Sequence, residues 1–328
     1  MKNVLVTGGC GFIGSNFIKH LIGSGEYKIT NLDALTYAGN PENLKEIRDN
    51  LDYKFVRGNI CNRDLVNLII GANKVDYVVN FAAESHVDRS IENSEDFVKT
   101  NILGTRVLLD SVLRHKVKKF IQISTDEVYG SLKENSPSST EKSRLNPRSP
   151  YSASKTSADL LALSYFHTFD LPVCVTRSSN NYGPNQFPEK IIPLFITNII
   201  NGKKVPVYGN GMNIRDWIYV RDNCMAIQLV MENGKPGEIY NIGGRTELSN
   251  MELTEKILRG MDFEDDWKKQ INFVEDRKGH DFRYSLNCGK IEKKLDWFPT
   301  TDFETGLQAT IEWYKENEKW WRELKDGK

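Results

Sequence analysis

The sequence predicts an α/β chain, with a doubly wound parallel sheet followed by a smaller mixed domain. Three observations carry that expectation. Short apolar runs of strand character recur at Asn3–Thr7, Lys28–Leu32, Lys54–Arg57, Tyr77–Phe81 and Phe120–Ser124, with Lys54–Arg57 and Tyr77–Phe81 read as buried strands. Helical spacing alternates with them, most clearly at Phe12, Ile13, Phe17, Ile18 and Leu21. Past Thr176 the pattern changes, with Asn, Gly and Pro clustering through Gly183-Pro184-Asn185. Alternating strands and helices mark a parallel sheet, and the change of pattern marks a boundary near residue 178.

At 328 residues the chain can hold one large or two modest domains around a sizeable core. Forty-four basic and 44 acidic residues balance, so no overall field draws it to nucleic acid or an anionic membrane. Five scattered cysteines without CxxC spacing read as incidental thiols of a reducing compartment. The first residues lack the pattern of a signal peptide. The most apolar later stretch, Ile191 to Ile200, contains Pro193, Thr197 and Asn198 and is too short to span a bilayer. A soluble, cytoplasmic protein is expected.

Taken in order, the first strand runs straight into Gly8-Gly9-Cys10-Gly11-Phe12-Ile13-Gly14. Glycines 8, 11 and 14 on a strand-to-helix turn let backbone approach a pyrophosphate at a helix N-terminus. The second strand ends in Asp33, about 20 residues on, where a carboxylate accepts from ribose hydroxyls and repels a 2′-phosphate. NAD is therefore expected over NADP, in a Rossmann-type domain spanning 1–178. Gly58-Asn59-Ile60 and Ala82-Ala83-Glu84-Ser85 follow the next two strands at the ends that would face the cofactor. In the second half, Pro188 to Asn201 reads as a helix and Val205 to Tyr208 as a short strand. Trp217–Val220 and Ile239–Ile242 read as strands, with parts of about 214–245 returning to the first sheet. The tail from Phe303 to Leu324 reads as one amphipathic helix packed on the small domain.

Chemistry concentrates between Phe120 and Lys155. Tyr151 and Lys155, four apart, share one helical face. Moving a tyrosine from a pKa of about 10 to about 7 takes roughly 4 kcal/mol, and the Lys155 ammonium and a nicotinium charge are the expected sources. A phenolate could then take a proton from a hydroxyl as hydride leaves the same carbon. Ser124 or Thr125 would add a hydroxyl. Adjacent Asp126 and Glu127 cannot both ionise cheaply in a closed site, so one should keep its proton near neutrality.

Thr7-Gly8-Gly9-x-Gly11-x-x-Gly14 with Tyr151-x-x-x-Lys155 resembles the extended short-chain dehydrogenase/reductase family, whose members act on nucleotide sugars. Ala82 to Asp88, Ser124 to Gly130, Ser179 to Pro184, Arg215-Asp216-Trp217 and Asp276 to Asp281 narrow the likeness to its 4,6-dehydratases. The likeness runs from Lys2 to about Tyr314. It implies NAD held by Gly8, Gly11, Phe12, Ile13, Gly14, Asp33, Ala34, Leu35, Thr36, Asn59, Ile60, Phe81, Ala82, Ala83, Ser85, Thr100 and Asn181, with Tyr151 and Lys155. It implies a nucleotide-sugar substrate, dTDP-glucose, held by residues 179–328 together with Ser85 and Thr125. The substrate positions are Asn180, Lys190, Ile191, Pro206, Val207, Tyr208, Arg215, Asn250, Arg277 and His280.

In the reaction so implied, C4 oxidation acidifies C5–H, Glu127 removes that proton, Asp126 protonates the departing C6 hydroxyl, and hydride returns to C6. Thr125, Asp126, Glu127, Tyr151 and Lys155 form the catalytic set. The family usually has Asp where Asn59 stands, although an amide oxygen can still accept from adenine; Asn80 and Lys278 are further departures. His86 reads as structural, and no residues show metal-ligand spacing. The resemblance also implies a homodimer through helices near Thr100–His115 and Tyr151–Phe169. A 4-epimerase or decarboxylase would share everything except a need for the acid pair. A non-catalytic NAD sensor would have no use for proton-transfer groups.

Overall fold

The computed structural model describes residues 1–277 and 279–326; Lys278 therefore lies outside the described residues. The expected apolar runs become β1 (Lys2–Thr7), β2 (Tyr27–Asp33), β3 (Tyr53–Arg57), β4 (Tyr77–Asn80), β5 (Lys119–Thr125) and β6 (Val173–Ser178). The second half supplies β7 (Asn180–Tyr182), β8 (Val205–Tyr208), β9 (Ile214–Tyr219), β10 (Ile239–Ile242), β11 (Glu247–Ser249) and β12 (Ile271–Val274). The main sheet runs β10-β6-β5-β4-β1-β2-β3, and every neighbouring pair is parallel. The chain leaves β1 toward β2 on one side and later reaches β4 on the other, so a crevice opens above the carboxyl ends of β1 and β4.

Helices cover both faces. Phe12–Gly23 and Val220–Asn233 pack with Phe17, Ile18, Leu21, Ile227 and Val230 on one face. Arg63–Ala72, Thr105–His115 and Pro150–Phe169 seal the other with Val66, Ile69, Leu108, Val112 and Ala162. Asn80, one of the departures, is buried between strands. It accepts from Thr7 Oγ1 (2.7 Å) and donates to Gln122 Oε1 (3.0 Å), a bond network joining β1, β4 and β5.

Four expectations about elements need correction. The third strand is not buried: as the sheet edge, β3 leaves Lys54, Phe55 and Arg57 exposed. Trp217 belongs to β9, which joins the separate sheet β11-β9-β7 rather than the main one, and Val220 already starts a helix. β10 does enter the main sheet, beside β6. The helix expected from Pro188 begins at Ile191, because Lys190 is extended and bonded back to Phe187; Pro193 then falls in the first turn, where proline is tolerated. The tail is two helices, Phe303–Glu316 and Glu318–Asp326, broken at Asn317. The break turns Trp321 fully inward, its indole N–H donating to Tyr314 O (2.9 Å) within the small domain's core.

All five cysteines are unpaired. No helix among the described residues is long and apolar enough to cross a membrane.

Candidate active site

A cleft of about 730 Å³ lies over the carboxyl ends of the main-sheet strands, with the small domain as its far wall. That volume suits a bound organic molecule. On the sheet side, Gly8 has φ +68°, and a Cβ there would sit 2.6 Å from Ala82 N; a Cβ on Gly14 would sit 2.5 Å from Gly8 O. A side chain at either position would collide with this backbone, so only glycine lets the turn pack closely enough to form the cradle. Helix Phe12–Gly23 starts at Gly11 with no side-chain cap, so its first N–H groups remain available to an anion.

At the end of β2, Asp33 accepts from Cys10 N and Leu35 N, both at 2.8 Å. Burial pushes its carboxyl up, against those two bonds. This cradle, uncapped helix start and fixed carboxylate together fit a dinucleotide. Ala34, Thr36, Asn59, Ile60, Phe81, Ala82, Ala83, Ser85, Thr100 and Asn181 also line the cleft. Leu35 does not: its backbone turns left-handed (φ +54°) and its N–H holds Asp33 instead. Asn59 has its amide oxygen engaged by Cys61 N (2.8 Å), with a second lone pair remaining.

The floor is built by β5 and the helix Pro150–Phe169. A Ser149/Ser152 capping box with Pro150 at the first position starts that helix. Tyr151 therefore falls in the first turn and Lys155 one turn on. Lys155 is buried and donates to Ile123 O at 2.5 Å; burial lowers its amine to about 8. The Tyr151 phenol does not follow the expected direction. Burial first, then the charges of Glu127 and Asp126, push it well above its ordinary value, while Lys155 spends its bond on a backbone carbonyl. The hydroxyl facing Tyr151 is Thr125; Ser124 Oγ turns inward and donates to Asp159 (2.9 Å).

Asp126 and Glu127 open a single 3₁₀ turn after β5, and their surroundings differ. Asp126 is 3% exposed, with Oδ2 unpartnered among the described residues. Burial, then Glu127, pushes its carboxyl up to about 8. It is also not on the cleft wall, contrary to expectation: Oδ1 accepts from Thr125 Oγ1 (3.2 Å), and Thr125 is what faces the cleft. Glu127 lines the cleft. Burial raises its carboxyl, opposed by the cations Arg215, Lys190 and Arg277.

Those cations form the far wall. Arg215 donates to the carbonyls of Ile214 (2.7 Å), Asp281 (2.9 Å) and Phe282 (3.3 Å) and stacks over Tyr284 at 4.3 Å. Arg277 forks onto Asp88, at 2.6 and 3.0 Å. His280 bonds Asp276 (2.7 Å), and Lys190 donates to Ser85 O (3.4 Å). Asn180, Ile191, Pro206, Val207, Tyr208 and Asn250 complete the expected set on the cleft wall. His86 caps the helix Val87–Glu92 through Nδ1 and approaches Glu189 (3.5 Å). Sequence reasoning did not single out Tyr37, Glu189 or Tyr284, which also line the cleft. Their neighbours Thr36 and Lys190 were found by motif, but no local signal marks an aromatic as a stacking platform.

Residues 5–310 match the family model described as GDP-mannose 4,6 dehydratase. The chain belongs to this dehydratase family. It is 50% identical to the dTDP-glucose 4,6-dehydratase of Streptomyces niveus over 327 residues, 98% of this chain and 95% of that protein. The crystal structure of the Bacillus anthracis dTDP-glucose 4,6-dehydratase in complex with NAD is similar at TM-score 0.92 and 49% identity, covering 99% of this chain and 100% of that one. The Streptomyces venezuelae dTDP-glucose 4,6-dehydratase, with NAD and a second ligand bound, matches at TM-score 0.94 and 46% identity over 98% and 99% of the two chains.

Proposed function

We propose that the protein converts dTDP-glucose to dTDP-4-keto-6-deoxyglucose and water, with NAD regenerated in each cycle. The observation that carries this reading is the divided acid pair beside Tyr151. Asp126 holds its proton up to about pH 8, whereas Glu127 stands on the cleft wall among three cations. Water elimination needs an acid and a base together. Relatives named for dTDP-glucose and NAD support the choice of substrate and cofactor.

NAD would lie on the glycine cradle with its ribose at Asp33, and when bound it supplies a hydride acceptor and donor. The chain's own groups handle protons. In the unliganded protein the Tyr151 phenol holds its proton. Lys155, one turn along, together with bound NAD, would supply the positive charge that draws it down to a phenolate. That phenolate takes the proton of the C4 hydroxyl. Glu127 removes the C5 proton. Asp126 supplies the proton for the departing C6 oxygen. The Thr125 hydroxyl, which donates to Asp126 Oδ1 in the unliganded protein, turns toward that oxygen to accept from Asp126 and pass a proton on, and C5 is finally reprotonated. Arg215, Arg277, Lys190 and His280 hold the nucleotide diphosphate, for which guanidinium forks are suited.

The working form is a cytoplasmic homodimer. Leu108, Leu109 and Val112 are core, but Val98, Leu103 and Leu160 remain exposed on the packed helices around Val98–His115 and Pro150–Phe169. Sedimentation should give a dimer; a monomer at working concentration removes this part of the reading. The activity itself is tested by incubating the protein and NAD separately with dTDP-glucose and UDP-glucose. Mass spectrometry should show loss of one water without net NADH, faster for dTDP-glucose. Unchanged mass with an inverted stereocentre would identify an epimerase.

A further inference from the structure

Behind the floor lies a buried charge pair that the reaction as described does not use. Asp159 and Arg177 are 0% and 1% exposed, and Arg177 Nε donates to Asp159 Oδ2 at 2.9 Å. The same oxygen accepts from Ser124 Oγ (2.9 Å), while Oδ1 is buried and takes no hydrogen bond among the described residues. Arg177 is fixed in turn by the Tyr129 hydroxyl (3.0 Å), itself bonded to Asn241 (2.8 Å).

Asp159 follows Lys155 by four residues, so both project from one face of the same helix. Their bonds land on successive residues of β5: Lys155 on Ile123 O, Asp159 on Ser124 Oγ. Thr125, Asp126 and Glu127 come next. The two bonds staple the reactive end of β5 to the helix that carries Tyr151. Two cations and one anion share this interior, so the carboxylate is what lets Lys155 stay charged.

We propose that Asp159, held by Arg177, is a positioning residue: it keeps Lys155 an ammonium and ties the catalytic turn to the Tyr151 helix. Among the described residues, Asp159 is the charge that acts on Lys155. Arg177 of β6 is bound to Asp159 itself, and Tyr129 serves Arg177. Asp126 and Glu127 bear on Tyr151. Asp110 of helix Thr105–His115 is engaged with Tyr165 (2.5 Å), and Asp88 of helix Val87–Glu92 with Arg277. The π-helical turn Val98–Gly104 offers Asn101, which donates to Ser154 (2.8 Å).

The proposal rests on the dehydratase reading for its activity readout, so the primary test needs no substrate. Protein labelled with ¹⁵N at lysine Nζ, with the Lys155 signal assigned through K155R, is titrated in the unliganded state. Lys155 should be an ammonium at pH 7 in the unaltered protein; a neutral amine there overturns the proposal.

Asp159→Asn keeps the shape and removes the charge, and should lower the Lys155 titration by about one to three pH units. With it, kcat at pH 8 should fall at least about fivefold, KM being unchanged. Arg177→Gln removes the competing cation and should move the same titration upward. A merely structural role would lower activity in both variants without opposite shifts, and titrations that stay put or move together overturn the proposal. If D159N does not fold, R177Q and the unaltered protein decide. Shifted titrations in a protein that dehydrates no sugar nucleotide would sink the substrate reading and leave this one standing.

Discussion

The floor of the cleft, from Ile123 to Lys155, and its outer wall, from Arg215 to Tyr284, turn charged groups toward the same space but hold them differently. On the floor, Lys155, Asp126 and Ser124 are buried; Lys155 and Ser124 bond into the protein interior, and Asp126 accepts from its neighbour Thr125. Burial there shifts proton affinities strongly, raising Asp126 and lowering Lys155 until both titrate at about 8. The wall is mixed: Arg215 is fixed on backbone carbonyls, but Arg277 rests on the half-exposed Asp88 and His280, whose imidazole burial lowers, on Asp276. A fixed, dry floor suits proton transfer, since groups tuned by burial need a constant environment. A wall of charge-assisted contacts suits an anionic nucleotide that can replace one partner with another.

That contrast can be broken by experiment, and the largest effects belong to the floor. Glu127→Gln should reduce water loss on the order of 10²–10⁴-fold while C4 oxidation persists, so that reduced nicotinamide accumulates optically. Tyr151→Phe should lose a similar factor in kcat without that accumulation, because it removes the earlier step. A Glu127→Gln enzyme that dehydrates normally would take Glu127 out of its role.

Next comes the energetic cost of the acid. Asp126 titrates at 3.8 when unperturbed and at about 8 in the fold. The folded state therefore binds the extra proton, and stability is lost as pH rises across that window. Asp126→Asn does not titrate. Its stability relative to wild type should climb between pH 4 and 8 and level off above, by about 1–3 kcal/mol, as read by thermal melts. A pH-independent difference would mean that Asp126 is not the buried acid described.

On the wall, Arg277→Ala should raise KM for the nucleotide sugar roughly 10- to 100-fold, the effect of a hydrogen bond to a charged group, with kcat within a few-fold. Steady-state kinetics that show the reverse split would move Arg277 to the floor. The smallest effect is expected at Asn59, whose oxygen is already shared with Cys61 N. Asn59→Asp should change NAD affinity by less than about tenfold in a direct titration.

The same contrast explains what could be read from sequence. Glycines 8, 11 and 14, Asp33, Tyr151, Lys155 and Glu127 sit in short stretches whose spacing fixes geometry locally, so their meeting at one cleft was legible. Asp126, expected beside them, lies behind Thr125. The wall depends on contacts between distant segments: Arg277 with Asp88, Lys190 with Ser85, Arg215 with residues 281–284. Motif resemblance found the residues but not their partners. β9 settled in the small sheet because its partner β11 lies beyond β10 in sequence, which no periodicity reveals. The tail helix broke at Asn317 so that Trp321 could reach the core. The Tyr151 phenol went up rather than down because burial and two neighbouring carboxyls outweigh a lysine bonded elsewhere. Asp159 and Arg177 carried no motif at all; only folding places them together.

The central claim is redox-neutral water loss driven by a base at C5, and one measurement addresses it. The protein, NAD and dTDP-glucose are incubated in D₂O and the product is weighed by mass spectrometry. The account predicts a product lighter by one water and carrying one solvent deuteron at C5, with no reduced cofactor left over. A sugar nucleotide of unchanged mass, or reduced cofactor formed in step with product, would contradict it.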